Sequence, residues 1–240
     1  MSLGQSIRFL GAGALLTAGL AVGAAPVAAA EPACPDVEVV FARGTSEAPG
    51  VGGTGQAFVD SLRAQTAGKS VAVYAVNYPA SSNFTDRIPF AQNVVDGVRD
   101  AGSHIQATAA ACPDTKIVLG GFSQGAVVAG YVTADAVPQG VPSEYLSYLP
   151  SPLPDEVSDH VAAVVLLGNP SQAFLNQFGA PIGTIGPRYA SKTIELCAPG
   201  DTICDGTPGA MPSMAHAMYA INGMTNEAAS YVAARVMPAA

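Results

Sequence analysis

The stretch Ile117-Val118-Leu119-Gly120-Gly121-Phe122-Ser123-Gln124-Gly125 constrains this chain more than any other. An apolar run that ends in G-x-S-x-G and turns at once into a helix is the signature of a nucleophile elbow. So tight a turn forces the serine into a strained backbone conformation and demands small residues two positions to either side. In return, the Ser123 hydroxyl stands at the edge of a sheet beside a helix N-terminus, whose dipole favours developing negative charge. The motif requires strand, sharp turn and helix in that order, and it marks Ser123 as a candidate nucleophile.

Apolar, β-branched runs recur along the chain with helical stretches between them, the pattern of a parallel sheet with crossover helices. Strands are predicted over Val37–Ala42, Val71–Val76, Lys116–Gly121, Val161–Leu167 and Lys192–Cys197, and their near-continuous hydrophobicity fits burial on both faces. Helices are predicted over Gly55–Thr66, Pro89–Ala110, Gln124–Asp135 and Thr225–Val236, with Thr225 as the N-cap of the last. No repeat or linker interrupts the pattern, so residues 31–240 read as one α/β domain. Pro138 to Asp159 is long and odd, with five prolines and the apolar residues Tyr145, Leu146, Tyr148 and Leu149. It follows a helix and precedes a strand, which roots it at the amino edge of the sheet, whereas ligands bind at the carboxyl edge. It is therefore read as a surface excursion or partner contact rather than a lid.

Residues 1–30 stand apart. Arg8 precedes an Ala- and Gly-rich apolar run from Phe9 to Val27, and Ala28-Ala29-Ala30 follows. That is the form of a secretory signal peptide cut before Glu31; an uncleaved anchor is the alternative, since the run approaches spanning length. No later segment reaches that length without charge, Pro or Gly, so the mature protein is expected to be secreted or cell-wall associated, without an integral membrane segment. Nine basic residues then face eighteen acidic ones, a formal charge of −9. Nothing basic or aromatic clusters as a nucleic-acid site requires, and an acidic surface gains nothing from anionic membranes. A monomer is expected.

All four cysteines, Cys34, Cys112, Cys197 and Cys204, follow the signal. An even count in a secreted chain argues for two disulfides, and three pairings are open. Zinc is a poor competitor, because no C-x-x-C spacing occurs and His216 is remote from Cys204 in sequence. Cys197–Cys204 is the natural local pair, leaving Cys34–Cys112 to close a long loop worth about 4 kcal/mol on the loop-entropy model.

A serine hydroxyl attacks at neutral pH only with an imidazole as general base and a carboxylate to orient it. Of the three histidines, His104 lies mid-helix and His160 opens a strand at the wrong edge. His216 follows the last strand among Pro, Gly and Met, where a loop brings it back to the serine. The acid belongs after a strand and between serine and histidine in sequence. Asp201 fits and is enclosed by Cys197 and Cys204; Asp205 is the rival just outside them. An oxyanion needs hydrogen-bond donors, expected from the Gln124 N–H and from Thr45 on the loop after the first strand. That loop continues Gly50-Val51-Gly52-Gly53-Thr54-Gly55, a G-x-G-x-x-G match. A dinucleotide site is disfavoured, because the glycines come eight residues after Ala42 and Asn77-Tyr78-Pro79 stands where an acidic residue is required. A flexible glycine-rich loop is the better account, and no cofactor or metal is expected.

With these residues in view, the chain resembles the cutinase family of α/β-hydrolases, most of all the secreted cutinase-like proteins of mycobacteria and related actinobacteria. The markers are Ala42-Arg43-Gly44-Thr45-Ser46-Glu47, Cys112-Pro113-Asp114, Gly120-Gly121-Phe122-Ser123-Gln124-Gly125-Ala126, Cys197 through Cys204, and His216-Ala217-Met218-Tyr219. The resemblance implies a three-layer sandwich with a five-stranded parallel sheet and no large lid. It implies Ser123 as nucleophile, His216 as base, Asp201 as acid, Thr45 and Gln124 as oxyanion hole, and the disulfides Cys34–Cys112 and Cys197–Cys204. It further implies hydrolysis of lipidic or polyester esters through an acyl-enzyme. Phospholipase A, thioesterase and mycolate-ester hydrolase are the rival activities, and a non-catalytic secreted binding protein or antigen is the rival class. Where plant-pathogen cutinases carry serine at the oxyanion position, this chain has Thr45, which keeps the hydroxyl. The acyl crevice is expected in the loops Pro79–Pro89, Ser171–Ile185 and Gly206–Met214, lined by Phe84, Ile88, Phe174, Leu175, Phe178 and Ile182.

Overall fold

The five apolar runs pair side by side as β1 (Val37–Ala42), β2 (Val71–Ala75), β3 (Lys116–Phe122), β4 (Val161–Leu167) and β5 (Thr193–Leu196). All are parallel, in the order β2-β1-β3-β4-β5. This computed structural model describes residues 34–139, 141, 143–181 and 183–237. The expected signal peptide, residues 1–30, lies outside the described residues.

The central strands β1, β3 and β4 are buried almost throughout, while the edge strands β2 and β5 are shorter and half-buried. Alternation along β1 shows why its whole run is apolar: Val37, Val39 and Phe41 enter one core, Val40 and Ala42 the other. The helices between strands are α1 (Gly52–Gln65), α2 (Arg87–Ala111) and α3 (Gln124–Val132). Short turns α4 (Val157–His160), α5 (Gln172–Asn176) and α6 (Pro187–Ala190) follow, and α7 (Met224–Val236) closes the chain. α1 and α7 pack on each other over one face through Phe58, Leu62 and Val232; α2 and α3 cover the other through Val94, Ile105 and Val128. Each such fully buried side chain contributes roughly 1.5–3 kcal/mol. The result is a three-layer sandwich.

Three helix starts shift from expectation, that of α2 only from Pro89 to Arg87. α1 begins at Gly52, not Gly55, because the Glu47 carboxylate reaches across to accept the Gly53 N–H at 2.7 Å. An acid at a helix N-terminus complements the dipole, so Gly52 to Gly55 of the glycine-rich stretch are helix rather than flexible loop. Thr225 is not the N-cap of α7: Gly223, at φ 94°, takes that place, and Asn222 Oδ1 accepts the Met224 N–H at 3.1 Å. Glycine adopts the left-handed conformation without strain, and Thr225 is left buried inside the first turn.

Both disulfides form, Cys34–Cys112 at the amino edge of the sheet and Cys197–Cys204 in the loop after β5. The strand order reverses between β1 and β3, so their following connections diverge and leave a crevice at the carboxyl edge. No helix among the described residues is long and apolar enough to cross a membrane.

Candidate active site

Ser123 joins β3 to α3 with φ 53° and ψ −119°, a conformation costing on the order of 1–3 kcal/mol for a non-glycine residue. Sterics impose it. A Cβ on Gly121 would overlap the backbone of Gly125, and one on Gly125 would overlap the backbone of Ala42 and Arg43. The turn therefore packs α3 hard against the end of β1. Its serine hydroxyl faces the crevice, and Gln124 opens the helix with an N–H that has no partner four residues back.

Two loops from elsewhere converge on that hydroxyl. His216 sits on a single 3₁₀ turn, Met214–Met218, with Nε2 2.8 Å from Ser123 Oγ. Its Nδ1 lies 2.8 Å from Asp201 Oδ2. Phe122 stacks against the imidazole at 5.0 Å between centroids, fixing the ring plane. Asp201 is fully buried inside the loop closed by Cys197–Cys204, and its other oxygen, Oδ1, accepts the Ile203 N–H at 3.0 Å. Cys197, Asp201 and Cys204 lie close enough to suggest a metal site, but both sulfurs are joined to each other and offer no thiolate. The other candidates lie elsewhere. Asp205 is exposed and holds the Thr207 N–H, His104 pairs with Glu38 under α2, and His160 meets the Pro113 carbonyl.

Sequence reasoning met Tyr219 only as the end of the His216 motif and gave it no role. This residue is fully buried, donates its hydroxyl to Asp201 Oδ2 at 2.8 Å and accepts the Ala198 N–H at 2.8 Å. Asp201 is thus held by two donors besides the imidazole. Burial pushes the Tyr219 phenol well above its ordinary value, and the bond to Asp201 adds to the shift. It remains a neutral donor. The only signal in the sequence was its place three residues after His216.

The loop carrying Thr45 is braced just as closely, by residues the motif search passed over. Buried Arg43 donates Nε to the Glu47 carbonyl at 2.9 Å and Nη2 to the Tyr78 carbonyl at 2.6 Å. The Tyr78 hydroxyl donates in turn to the Arg43 carbonyl. Glu47 accepts the Gly44 N–H at 2.6 Å, in addition to that of Gly53. Its carboxylate occupies the helix N-terminus that a dinucleotide phosphate would need. Ser46 and Ala80, joined by a 2.8 Å backbone bond, both hold positive φ, so the strained non-glycine residues cluster around Ser123.

One cavity of about 1090 Å³ opens on Thr45, Ser123, Gln124 and His216. Phe84, Ile88, Phe174, Leu175 and Phe178 line it with Ala210 and Met211; Ile182 lies outside the described residues. Phe84, Phe90, Phe174 and Phe178 form an aromatic cluster at centroid distances of 4.8–5.3 Å. The Tyr131 hydroxyl, its pKa pushed up to about 12 by burial, ties the wall to the Pro181 carbonyl. The excursion departs from its expected course. Its root is at the amino edge, but Tyr148 and Leu153 fold back over α2 and line this same cavity.

Comparison with known proteins follows the same lines. A family model described as cutinase matches residues 33–236. A probable carboxylesterase of Mycobacterium tuberculosis, Culp7, is 53% identical over 72% of this chain and 88% of its own length. The phospholipase Culp4 of the same organism is 47% identical over 95% of this chain and 88% of its own. Among solved structures, a Trichoderma reesei cutinase in complex with a C11Y4 phosphonate inhibitor superposes with a TM-score of 0.59 at 29% identity, covering 85% of this chain and 78% of that one.

Proposed function

This chain belongs to the cutinase family and is a carboxylic ester hydrolase, and we propose that it is a secreted, monomeric serine esterase working through Ser123, His216 and Asp201. The observation that carries this reading is the unbroken relay from Ser123 Oγ to His216 to Asp201, two contacts of 2.8 Å each. Neutral His216 takes the serine proton at Nε2 as Oγ attacks the ester carbonyl, and Asp201 stays ionised to stabilise the imidazolium at Nδ1. The Gln124 and Thr45 N–H groups receive the oxyanion, supported by the positive end of α3. Collapse breaks the ester C–O bond, and His216 returns the proton to the departing alcohol. Water, deprotonated by the same imidazole, then attacks the acyl-enzyme and frees the acid and Ser123. Tyr219 takes no part in the proton traffic; it keeps the Asp201 carboxylate aimed.

An apolar cavity lined by aromatic rings supports esters with lipidic acyl groups. The name of Culp4 favours a second reading, in which phospholipids are among them. Two disulfides accord with an oxidising compartment, and residues 1–30 with export through a cleaved signal.

A fluorophosphonate probe tests the assignment. The wild type is expected to label at one serine and Ser123→Ala not at all, with p-nitrophenyl butyrate hydrolysis lost in parallel. Equal labelling or equal turnover of the two proteins would overturn it.

A further inference from the structure

The cavity that opens on Ser123 does not stop at the crevice. Beyond Phe84 and Phe90 it continues along α2, past Val94, Val98 and Gly102, to Leu153 on the excursion. These α2 positions recur at four-residue spacing and so lie in one row. Val127, Tyr131 and Val132 of α3 line the same furrow from the neighbouring helix. Between Arg87 and Gln106, which both line the furrow, α2 rises about 28 Å. The far wall is fastened in place. Tyr148 donates to Asp96 at 2.9 Å, Arg99 donates to the Tyr148 carbonyl at 2.5 Å, and Arg188 pairs with Asp155 at 2.5 Å.

We propose that this furrow seats the distal part of a long, linear acyl chain, so that Val98, Gly102 and Leu153 set the chain length the enzyme prefers. The inference rests on Ser123 being the nucleophile. Continuity with Ser123 and a long, mainly apolar course identify the occupant as an aliphatic chain covalently linked to the reacting carbonyl. Its side of the sheet identifies which chain. His216 packs on Phe122 and Tyr219, in the core shared with α1 and α7, and the leaving alcohol takes its proton from there. The furrow starts in the opposite layer, between α2 and α3. It therefore holds the acyl group that stays on the serine. Topology alone kept the excursion away from the site; its return over α2 makes it part of the substrate path.

The chain contains no tryptophan, which supplies a test. Ser103 is exposed on the furrow's rim, so Ser103→Trp narrows the furrow and installs a sole tryptophan, which can be excited selectively over the tyrosines. Leu153→Asp places a charge at the far end. In both variants the kcat/KM ratio of p-nitrophenyl palmitate to p-nitrophenyl butyrate is expected to fall about tenfold, the factor for roughly two methylenes losing an apolar seat. Ser230→Trp, on α7 in the opposite layer, is expected to leave the ratio unchanged. Chain-brominated palmitic acid is expected to quench the tryptophan of Ser103→Trp in a Ser123→Ala background, where no turnover occurs. An unchanged ratio in both variants, or no quenching, overturns the proposal. So does a loss that follows the alcohol chain (hexadecyl against ethyl butyrate) instead of the acyl chain. Failure of the nucleophile assignment reads differently: Ser123→Ala then keeps wild-type turnover, whatever the quenching.

Discussion

Two buried tyrosines stand behind the catalytic edge, and they hold their regions by different means. Tyr78 lies behind the loop that carries Thr45 and donates to a backbone carbonyl, that of Arg43. Tyr219 lies behind the loop that carries Asp201 and donates to the carboxylate itself. The first belongs to a region where everything closes on main chain: glycines that admit no Cβ, a strained serine, and Arg43, Tyr78 and Glu47 bonded to backbone groups. The second belongs to a region fixed by side chains: a disulfide, a phenol and a stacked ring. Nucleophile and oxyanion donors must sit within tenths of an ångström of the carbonyl, and steric exclusion gives that accuracy. The acid and base must stay aligned while charge passes between them, and hydrogen bonds to the charged atoms serve that need.

The largest effect should come from the backbone side. Gly125→Ala puts a methyl into the Ala42 and Arg43 backbone. It is expected to remove fluorophosphonate labelling and to lower stability by about 1–3 kcal/mol in urea unfolding. Normal labelling would show that the elbow tolerates what the geometry forbids. On the side-chain side, Tyr219→Phe removes a hydrogen bond to a charged group. A loss of about 10- to 100-fold in kcat is expected with KM held. Tyr78→Phe should instead cost stability, about 1–3 kcal/mol for the stranded Arg43 carbonyl, with a smaller change in kcat. Equal kcat losses in the two variants would erase the distinction.

The smallest effect is shared. Burial raises the pKa of both phenols above the unfolded value near 10. Each therefore contributes stability that is present in full below that value and is lost as pH rises toward the higher folded one. Either Phe variant should flatten the alkaline decline in melting temperature; an unchanged slope would count against a buried, neutral phenol at that position.

The same division decides what was legible in the sequence. Sterics leave a mark in composition: Gly121, Gly125 and the apolar run before them announce strand, turn and helix without any partner being known. The central strands were equally plain, because burial on both faces makes them continuously hydrophobic. Cysteines announce themselves too. Hydrogen bonds between distant elements do not. Nothing in Arg43, Glu47 or Tyr78 alone says that they close on one another, and Tyr219 looks like any aromatic residue on a turn. The start of α1 was misplaced for that reason, since the carboxylate that caps it sits outside the helix. The excursion shows a further limit. Topology fixed where it begins and ends, while its path over α2 depends on contacts such as Arg99 with Tyr148 that no pattern of residues declares.

The bond between Cys197 and Cys204 is the one covalent element in the alignment of the acid. It closes the loop around Asp201. Cys197 is exposed, within reach of thiol reagents. Opening the bond would leave Asp201 to the hydrogen bonds of Tyr219, Ile203 and His216, whereas the elbow around Ser123 contains no cysteine and has no such dependence.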